Sequence, residues 1–227
     1  GYTMQQIFEK LEEEGICSVE DLEEAAANYV YNYSFLDWSE PGEASRLEGY
    51  LFPDTYEFYL GEDPKTAINK MLVNFDRRFD DEMRAAAQEK GYSVRDIVII
   101  ASMIEKETDG TDQAHIASVI YNRLTNTSAE TVGLLGIDAT LVYALGRPIT
   151  QDDYQTADTP YNTYKYQGLP PGPISNPGMV AIRAAMNPDS TSDYYYVLGN
   201  DGKHHFFKTL KGQQDFIAQQ QAEKRSG

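Results

Sequence analysis

The sequence predicts an α+β fold, mainly helical, with a central buried helix and a small antiparallel sheet. Three observations carry this. The run Ser93–Thr108, SVRDIVIIASMIEKET, sets Ile97, Val98, Ile99, Ile100, Ala101, Met103 and Ile104 at ~100° steps that wrap nearly the whole circumference, the mark of a helix buried on all sides. Helix-start signals recur along the rest of the chain. Near the C-terminus two short aromatic runs, YYYVLG (Tyr194–Gly199) and HHFFK (His204–Lys208), flank Asn200-Asp201-Gly202, the turn chemistry of a β-hairpin.

Taken in order, Thr3 with Gln6 forms a capping box. It opens a helix whose apolar stripe is Ile7, Phe8 and Leu11 and which ends at Gly15. Ser18 with Asp21 starts a second helix to about Tyr29, and both helices carry an acidic, solvated outer face. Asp37–Ser45, with Pro41 and Gly42, reads as a linker or turn. Leu47–Tyr59, LEGYLFPDTYEFY, is expected to be a short extended strand packed on the central helix. Pro53 would sit at an edge or bulge, and Asp54 would close a turn. Asp63-Pro64 couples an N-cap to a proline at the first helical position. The helix it opens is expected to run to Lys90, with Gly91 as terminator and Ala67, Ile68, Met71, Leu72, Phe75 and Phe79 inward. Ser93 with Asp96 resembles a capping box and starts the central helix.

Asp112 is expected to cap QAHIASVIYNRLTN, whose buried stripe is Ile116, Val119, Ile120 and Leu124. Its Asn122 and Arg123 are candidates for a polar cleft wall, and His115 reads as structural. Gly136–Gly146 holds a short helix with Leu141, Val142 and Leu145 inward, and capping accounts for Asp138 and Thr140 at its start. Asn176-Pro177 opens the helix GMVAIRAAMNP. A final helix from about Leu210 runs into a polar, frayed tail. His204 and His205 are adjacent on a strand and so face opposite ways, which disfavours a two-histidine metal site.

At 227 residues the chain is long enough for one sizeable domain or two small ones. A formal net charge of −17 leaves no basic stripe to displace counterions and argues against nucleic acid as partner. The lone Cys17 excludes an internal disulfide, and no cluster suggests zinc. No run approaches the ~18 apolar residues of a membrane span, and there is no signal peptide. The chain opens already helical in pattern and reads as a piece of a longer protein.

Two stretches carry possible chemistry. The central helix ends in Glu105, Lys106 and Glu107. Glu107 falls beside Ile100, Met103 and Ile104, and Glu105 falls beside Val98 and Ala101. Two residues apart is ~200° of rotation, so the pair cannot act together on one bond. Alone, both read as solvated helix-end carboxylates; desolvated, such a group has the raised pKa that a general acid needs. Tyr161–Pro177, YNTYKYQGLPPGPISNP, combines three tyrosines, two asparagines, four prolines and two glycines. It suits either a stiff surface connection or a neutral ligand bearing hydroxyls and amides, such as a sugar chain.

Together IIASMIEKET, HIASVIYNRL, DATLVYALG, YNTYKYQGLPPGPISNPG and the hairpin ending in HFFKTL resemble, in this order, the endolytic peptidoglycan transglycosylases of the YceG-like family. LEGYLFPDTYEF upstream is similar to that family's EG-aromatic-x-PDTY/W element. The resemblance implies a lytic-transglycosylase-like fold. Residues 1–45 would be a helical lead-in that follows a LysM-like subdomain absent from this sequence, and 46–227 the catalytic domain. It further implies a single N-terminal membrane anchor outside this sequence and a place on the extracytoplasmic face of the bacterial cell membrane. Peptidoglycan glycan strands would be the substrate, cell-wall synthesis proteins the partners, and no cofactor or metal would be used. The family acid directly precedes threonine in EKET and corresponds to Glu107. Where members often have Leu-Gln-x-Asp-Pro-Thr, this chain has Leu135-Gly136-Ile137-Asp138-Ala139-Thr140, so any contact of that glutamine is absent.

The implied reaction is non-hydrolytic cleavage of the β-1,4 bond between N-acetylmuramic acid and N-acetylglucosamine, giving 1,6-anhydro ends. Glu107 serves as acid and then as base. Glu105, Asn122, Asp138, Thr140, Tyr161, Asn162, Thr163 and Tyr164 are the substrate-binding candidates. A non-catalytic glycan-binding scaffold and a hydrolytic muramidase using Glu107 with Asp138 are the alternatives, separated by the products: anhydro ends, reducing ends or none.

Overall fold

The computed structural model describes residues 1–36, 42–107 and 111–226. Residues 37–41 of the expected linker and Thr108 of the central run lie outside the described residues. In chain order the elements are α1 (Met4–Glu13), α2 (Val19–Asn28), α3 (Pro64–Arg78), α4 (Asp81–Glu89), α5 (Val94–Glu107), α6 (Gln113–Thr125), α7 (Asp138–Leu145), α8 (Asp153–Thr156), α9 (Met179–Met186), β1 (Tyr195–Leu198), β2 (His204–Phe207) and α10 (Leu210–Ser226). Among the described residues the strands form one two-stranded antiparallel sheet, so the fold is α+β and mainly helical, as the sequence predicts. The chain divides into two compact units, residues 1–106 with 172–186 and residues 107–171 with 187–227.

In the first unit the caps act as the sequence predicts. Thr3 Oγ1 accepts from the Gln6 N–H while the Gln6 side chain accepts from the Thr3 N–H. Ser18 caps α2, Asp63 caps α3 with Pro64 behind it, and Ser93 and Asp96 bond reciprocally at the start of α5. The helix expected over 64–90 is instead two. Phe79 leaves helical geometry at ψ 75, and Asp80 caps a new start by accepting from the Met83 N–H. At the break Phe79 is buried with its ring stacked on Phe75, centroids 5.7 Å apart.

α5 is buried all round, with every residue from Ile97 to Ile104 at most 3% exposed. Its one polar member in that run, Ser102, is fully satisfied. The hydroxyl donates to the Ile99 carbonyl (2.7 Å) and accepts from the Ile174 N–H (3.0 Å), and the Ser102 carbonyl accepts from Ser175 Oγ (3.1 Å). The strand expected over 47–59 is absent. Leu47, Tyr50, Leu51 and Phe52 are buried without alternation, so a pleated edge cannot place them. The Leu51 N–H donates to Asn176 Oδ1 (2.8 Å), and the buried Glu48 carboxylate accepts from the Met4 N–H and from Asn176 Nδ2, both at 2.9 Å. Side chains from distant segments thus replace a sheet ladder.

In the second unit Arg123 of α6, buried, donates to the carbonyls of Tyr194 (2.6 Å) and Leu135 and ties the hairpin to the chain before α7. β1 and β2 pair Tyr196 with Phe206 and Leu198 with His204. α10 lies on the hairpin through Phe216, 4.4 Å from His205 and 5.4 Å from Phe207, and remains helical to Ser226 where a frayed tail was expected. In α7 Leu141 is buried, but Val142 faces outward at 41% exposure, a correction to the expected inward stripe.

Two glycines with positive φ provide a test of this packing. At Gly49 (φ +92) an added Cβ would lie 2.6 Å from both the Pro173 ring and Val98 Cγ1, neither of which can swing away. At Gly146 (φ +62), the C-cap of α7, an added Cβ meets nothing within 4 Å. Gly49→Ala is expected to cost roughly 2–5 kcal/mol from overpacking plus left-handed strain. Gly146→Ala is expected to cost only about 1–2 kcal/mol from the backbone strain. Thermal melts of the two variants check the difference; equal losses would refute the close approach at Gly49.

Candidate active site

Glu107 is the last residue of α5 and the first of the second unit. Two features of its position work against the charged form. It lies at a helix C-terminus, where the aligned peptide dipoles present negative potential. It is also half-buried, and the loss of water pushes its carboxyl pKa up. Tyr196 Oη donates to Glu107 Oε2 at 2.6 Å, which pulls the other way. The nearby negative charge of Asp138 adds to the rise, while His204 and Arg123 oppose it. Desolvation is the largest of these effects, so the direction is upward.

Around this carboxyl the second unit arranges aromatic and charged groups. Tyr196 stands on β1 with its ring 5.7 Å from the Arg123 guanidinium and edge-on to His204, centroids 5.7 Å apart. His204 Nδ1 lies 2.7 Å from Asp112 Oδ2. Asp112 therefore spends its carboxylate on this histidine rather than capping α6, a correction to the expected cap. Asp138 likewise makes no cap. Its carboxylate accepts from Tyr164 Oη at 2.5 Å and from Tyr154 Oη at 3.3 Å. Burial, the bond to and charge of Asp138 and the charge of Glu107 push the Tyr164 phenol up, and burial and Asp138 do the same for Tyr154, so both hydroxyls stay protonated donors. The 161–177 loop thus reaches the surroundings of Glu107 through Tyr164.

Of the other candidates, Asn162, Thr163 and Thr140 are buried and Asn122 is half-buried. Asn162 is fully buried; its Nδ2 donates to the carbonyls of Ala157 (2.9 Å) and Tyr154 (3.2 Å), and its Oδ1 accepts from the Tyr164 N–H (3.1 Å). Thr163 Oγ1, buried, accepts from the Ile137 N–H (2.9 Å) and lies 3.1 Å from Thr140 Oγ1, which donates to the Ile137 carbonyl (2.7 Å). The Gly136 N–H donates to the Thr163 carbonyl (3.0 Å), and the Tyr164 ring and the Arg123 guanidinium occupy the space beside its Cα. Asn122 Nδ2 donates to the carbonyls of Thr191 and Asp193 and holds the approach to β1. Each of these four side chains is hydrogen-bonded to neighbouring segments of the chain. Tyr161 is half-buried with its ring 5.3 Å from Tyr143. Glu105, in the first unit, accepts from the Gly178 N–H (3.1 Å).

Sequence reasoning missed Tyr196, His204 and Tyr154. The hairpin held a signal for the first two: in a ladder that pairs Tyr196 with Phe206, the period of two puts Tyr196, Phe206 and His204 on one face. His115 is structural as expected, stacked on Phe206 at 3.5 Å with Nε2 2.8 Å from Asp193. Among the described residues, no group of three or more His, Cys, Asp or Glu side chains is placed to hold a metal ion.

Comparison with known proteins gives the relatives of this chain. An endolytic murein transglycosylase of Bacillus subtilis is 34% identical over 218 residues, 92% of this chain and 56% of that protein. The endolytic murein transglycosylase of Streptococcus pneumoniae is 33% identical over 184 residues, 78% of this chain and 32% of the relative. The chain thus spans about half of the first relative's length and a third of the second's. The crystal structure of a yceG-like protein from Listeria monocytogenes superimposes with a TM-score of 0.77 at 31% identity, covering 94% of this chain and 73% of that one. The profile of the YceG-like family matches residues 1–219, and the chain belongs to that family.

Proposed function

We propose that this chain is the catalytic part of an endolytic murein transglycosylase. It would cleave the β-1,4 bond between N-acetylmuramic acid and N-acetylglucosamine in glycan strands. The observation that carries this is the carboxyl of Glu107, half-buried at a helix C-terminus, its pKa pushed up by desolvation and hydrogen-bonded by a phenol. A raised pKa moves a carboxyl toward the neutral form that a proton donor needs. The activity named for the Bacillus and Streptococcus relatives supports the same reading.

In this reading Glu107 protonates the glycosidic oxygen. The resulting carboxylate then takes the proton of the muramyl C6 hydroxyl as O6 bonds to C1. Water is not the nucleophile, so no second carboxylate need be poised on it, in contrast to glycosidases with paired carboxyls. Asp138, engaged by Tyr164 and Tyr154, is already committed to orienting those tyrosines. Tyr161 and Tyr164 hold the glycan, with Asp138 beside them. Asn122, Thr140, Asn162 and Thr163 shape the site from within. Glu105 supports the chain at Gly178. Residues 1–45 are a helical lead-in and 46–227 the catalytic portion. The protein acts at the extracytoplasmic face in cell-wall biogenesis alongside cell-wall synthesis proteins, its anchor lying outside this sequence. Among the described residues, no helix is long and apolar enough to cross a membrane.

Glu107→Gln keeps the size of the group and removes its transferable proton. Release of 1,6-anhydromuropeptides, followed by mass spectrometry of digested peptidoglycan, is expected to fall beyond the ~10²–10⁴-fold typical of one lost proton transfer. Full activity in this variant would end the proposal, reducing ends from the wild type would mean a hydrolase, and binding without cleavage a scaffold. The same variant carries a stability prediction. The folded state raises the pKa of Glu107, so its favourable contribution is complete below the unfolded value of about 4.3 and is lost as pH rises through the folded value. Glutamine undergoes no such loss. Glu107→Gln should therefore melt higher than wild type at neutral pH, with the gap closing towards about pH 4; a lower melting point at pH 7 would contradict the desolvation account.

A further inference from the structure

We infer that Tyr196 is the positioning residue of Glu107: its phenol holds carboxyl oxygen Oε2 and thereby assigns the transferable proton to Oε1. This deepens the proposed reaction and rests on Glu107 as its acid and base. The geometry that carries it is the 2.6 Å hydrogen bond from Tyr196 Oη to Glu107 Oε2, made by a half-buried residue held through both its backbone and its ring. The backbone of Tyr196 is paired in the sheet with Phe206, and its carbonyl accepts from Gln213 Nε2 of α10 at 2.7 Å. The Arg123 guanidinium stands 5.7 Å from the ring centroid, and His204 meets the ring at 89°. A tyrosine so clamped cannot follow a moving carboxyl; it makes the carboxyl stay.

The chemistry follows from which partner carries a proton. Burial and the adjacent Glu107 charge hold the Tyr196 phenol well above its ordinary pKa, so it remains a donor in both halves of the reaction. With Oε2 occupied as an acceptor, the acid's own proton sits on Oε1. In the first half the Oε1–H bond breaks, the proton passes to the glycosidic oxygen and the bond from that oxygen to C1 breaks. Glu107 is left as a carboxylate, to which the phenol bonds more strongly than to the neutral acid. In the second half Oε1 takes the C6 hydroxyl proton as the O6–C1 bond forms, and Tyr196 still keeps its own. The groups that bear on the Glu107 titration are Tyr196 from β1, His204 from β2 with Asp112 behind it, Arg123 from α6, Asp138 from α7 and Tyr164 from the 161–177 loop. Among the described residues Tyr196 is the one of these that hydrogen-bonds the carboxyl.

Tyr196→Phe removes the hydroxyl and leaves the ring against Arg123 and His204. For anhydromuropeptide release by this folded variant, kcat is expected to fall about 10–100-fold, the range for one hydrogen bond to a charged group, with little change in KM. The alkaline limb of the pH–rate profile should move up, because the acid must be protonated to react and the bond that favoured its charged form is gone. 3-Fluorotyrosine at position 196 is a stronger donor and should move the same limb down. Unchanged kcat and limb in Tyr196→Phe, a loss confined to KM, or no downward shift with fluorotyrosine would each overturn the positioning role. Inactive Glu107→Gln beside a fully active Tyr196→Phe would remove only this inference. Active Glu107→Gln would remove the reaction on which it rests.

Discussion

Keeping the carboxyl of Glu107 in a place that resists its charge is the constraint around which the second unit is arranged. Water is partly withdrawn from it, the end of α5 opposes a negative group, and Asp138 adds a like charge nearby. An uncompensated carboxylate in such surroundings would be costly, and one too heavily compensated would be an ordinary ionised glutamate. The neighbours strike a middle course. Arg123 and His204 lie near enough to temper the rise, but each is engaged elsewhere: Arg123 with the carbonyls of Tyr194 and Leu135, His204 with Asp112. Neither forms a direct ion pair with Glu107, which would favour its charged form more strongly. The direct bond comes from a neutral phenol.

The same groups hold the unit together. Arg123 reaches the backbone on either side of α7 and the loop, at Leu135 and at Tyr194, so the cation that tempers Glu107 also holds the residue just before the strand that carries Tyr196. Asp138, free of any capping duty, orients Tyr164 and Tyr154. A substitution at either residue would disturb the frame and the electrostatics together, and loss of activity there would not by itself assign a chemical role.

What the sequence made legible was local. The all-round apolar pattern of Ile97–Ile104, the Ser93–Asp96 box and the hairpin turn depend on residues within a few positions, and each appears in the fold. What it hid depended on distant partners. The segment 47–59 has strand-like composition, but Asn176 and Met4, remote in sequence, take up its polar groups in place of a ladder. A proline and consecutive buried residues were the warning against a pleat. The break at Phe79–Asp80 was visible in principle, since Asp80 is a good N-cap; the continuing helical spacing of the apolar residues concealed it. Asp112 precedes α6 and Asp138 opens α7, so both resemble caps, while their partners His204 and Tyr164 lie 92 and 26 residues away.

The YNTY segment shows why composition alone could not assign its members. Asparagine and threonine suit a glycan's hydroxyls and amides, and they suit a tight loop's own backbone equally well. In the fold the middle pair takes the second use: Asn162 caps the turn onto Tyr154, Ala157 and Tyr164, and Thr163 receives the Ile137 N–H. The flanking tyrosines, Tyr161 and Tyr164, remain half-buried. This division fits a sugar site better than four exposed polar residues would. A flexible polar loop loses entropy on closing over a ligand, whereas rings held by a buried asparagine and threonine are ordered beforehand. Under the proposed reaction the frame built by Asn162 and Thr163 is therefore what lets Tyr164, through Asp138, reach the neighbourhood of Glu107 in a fixed orientation.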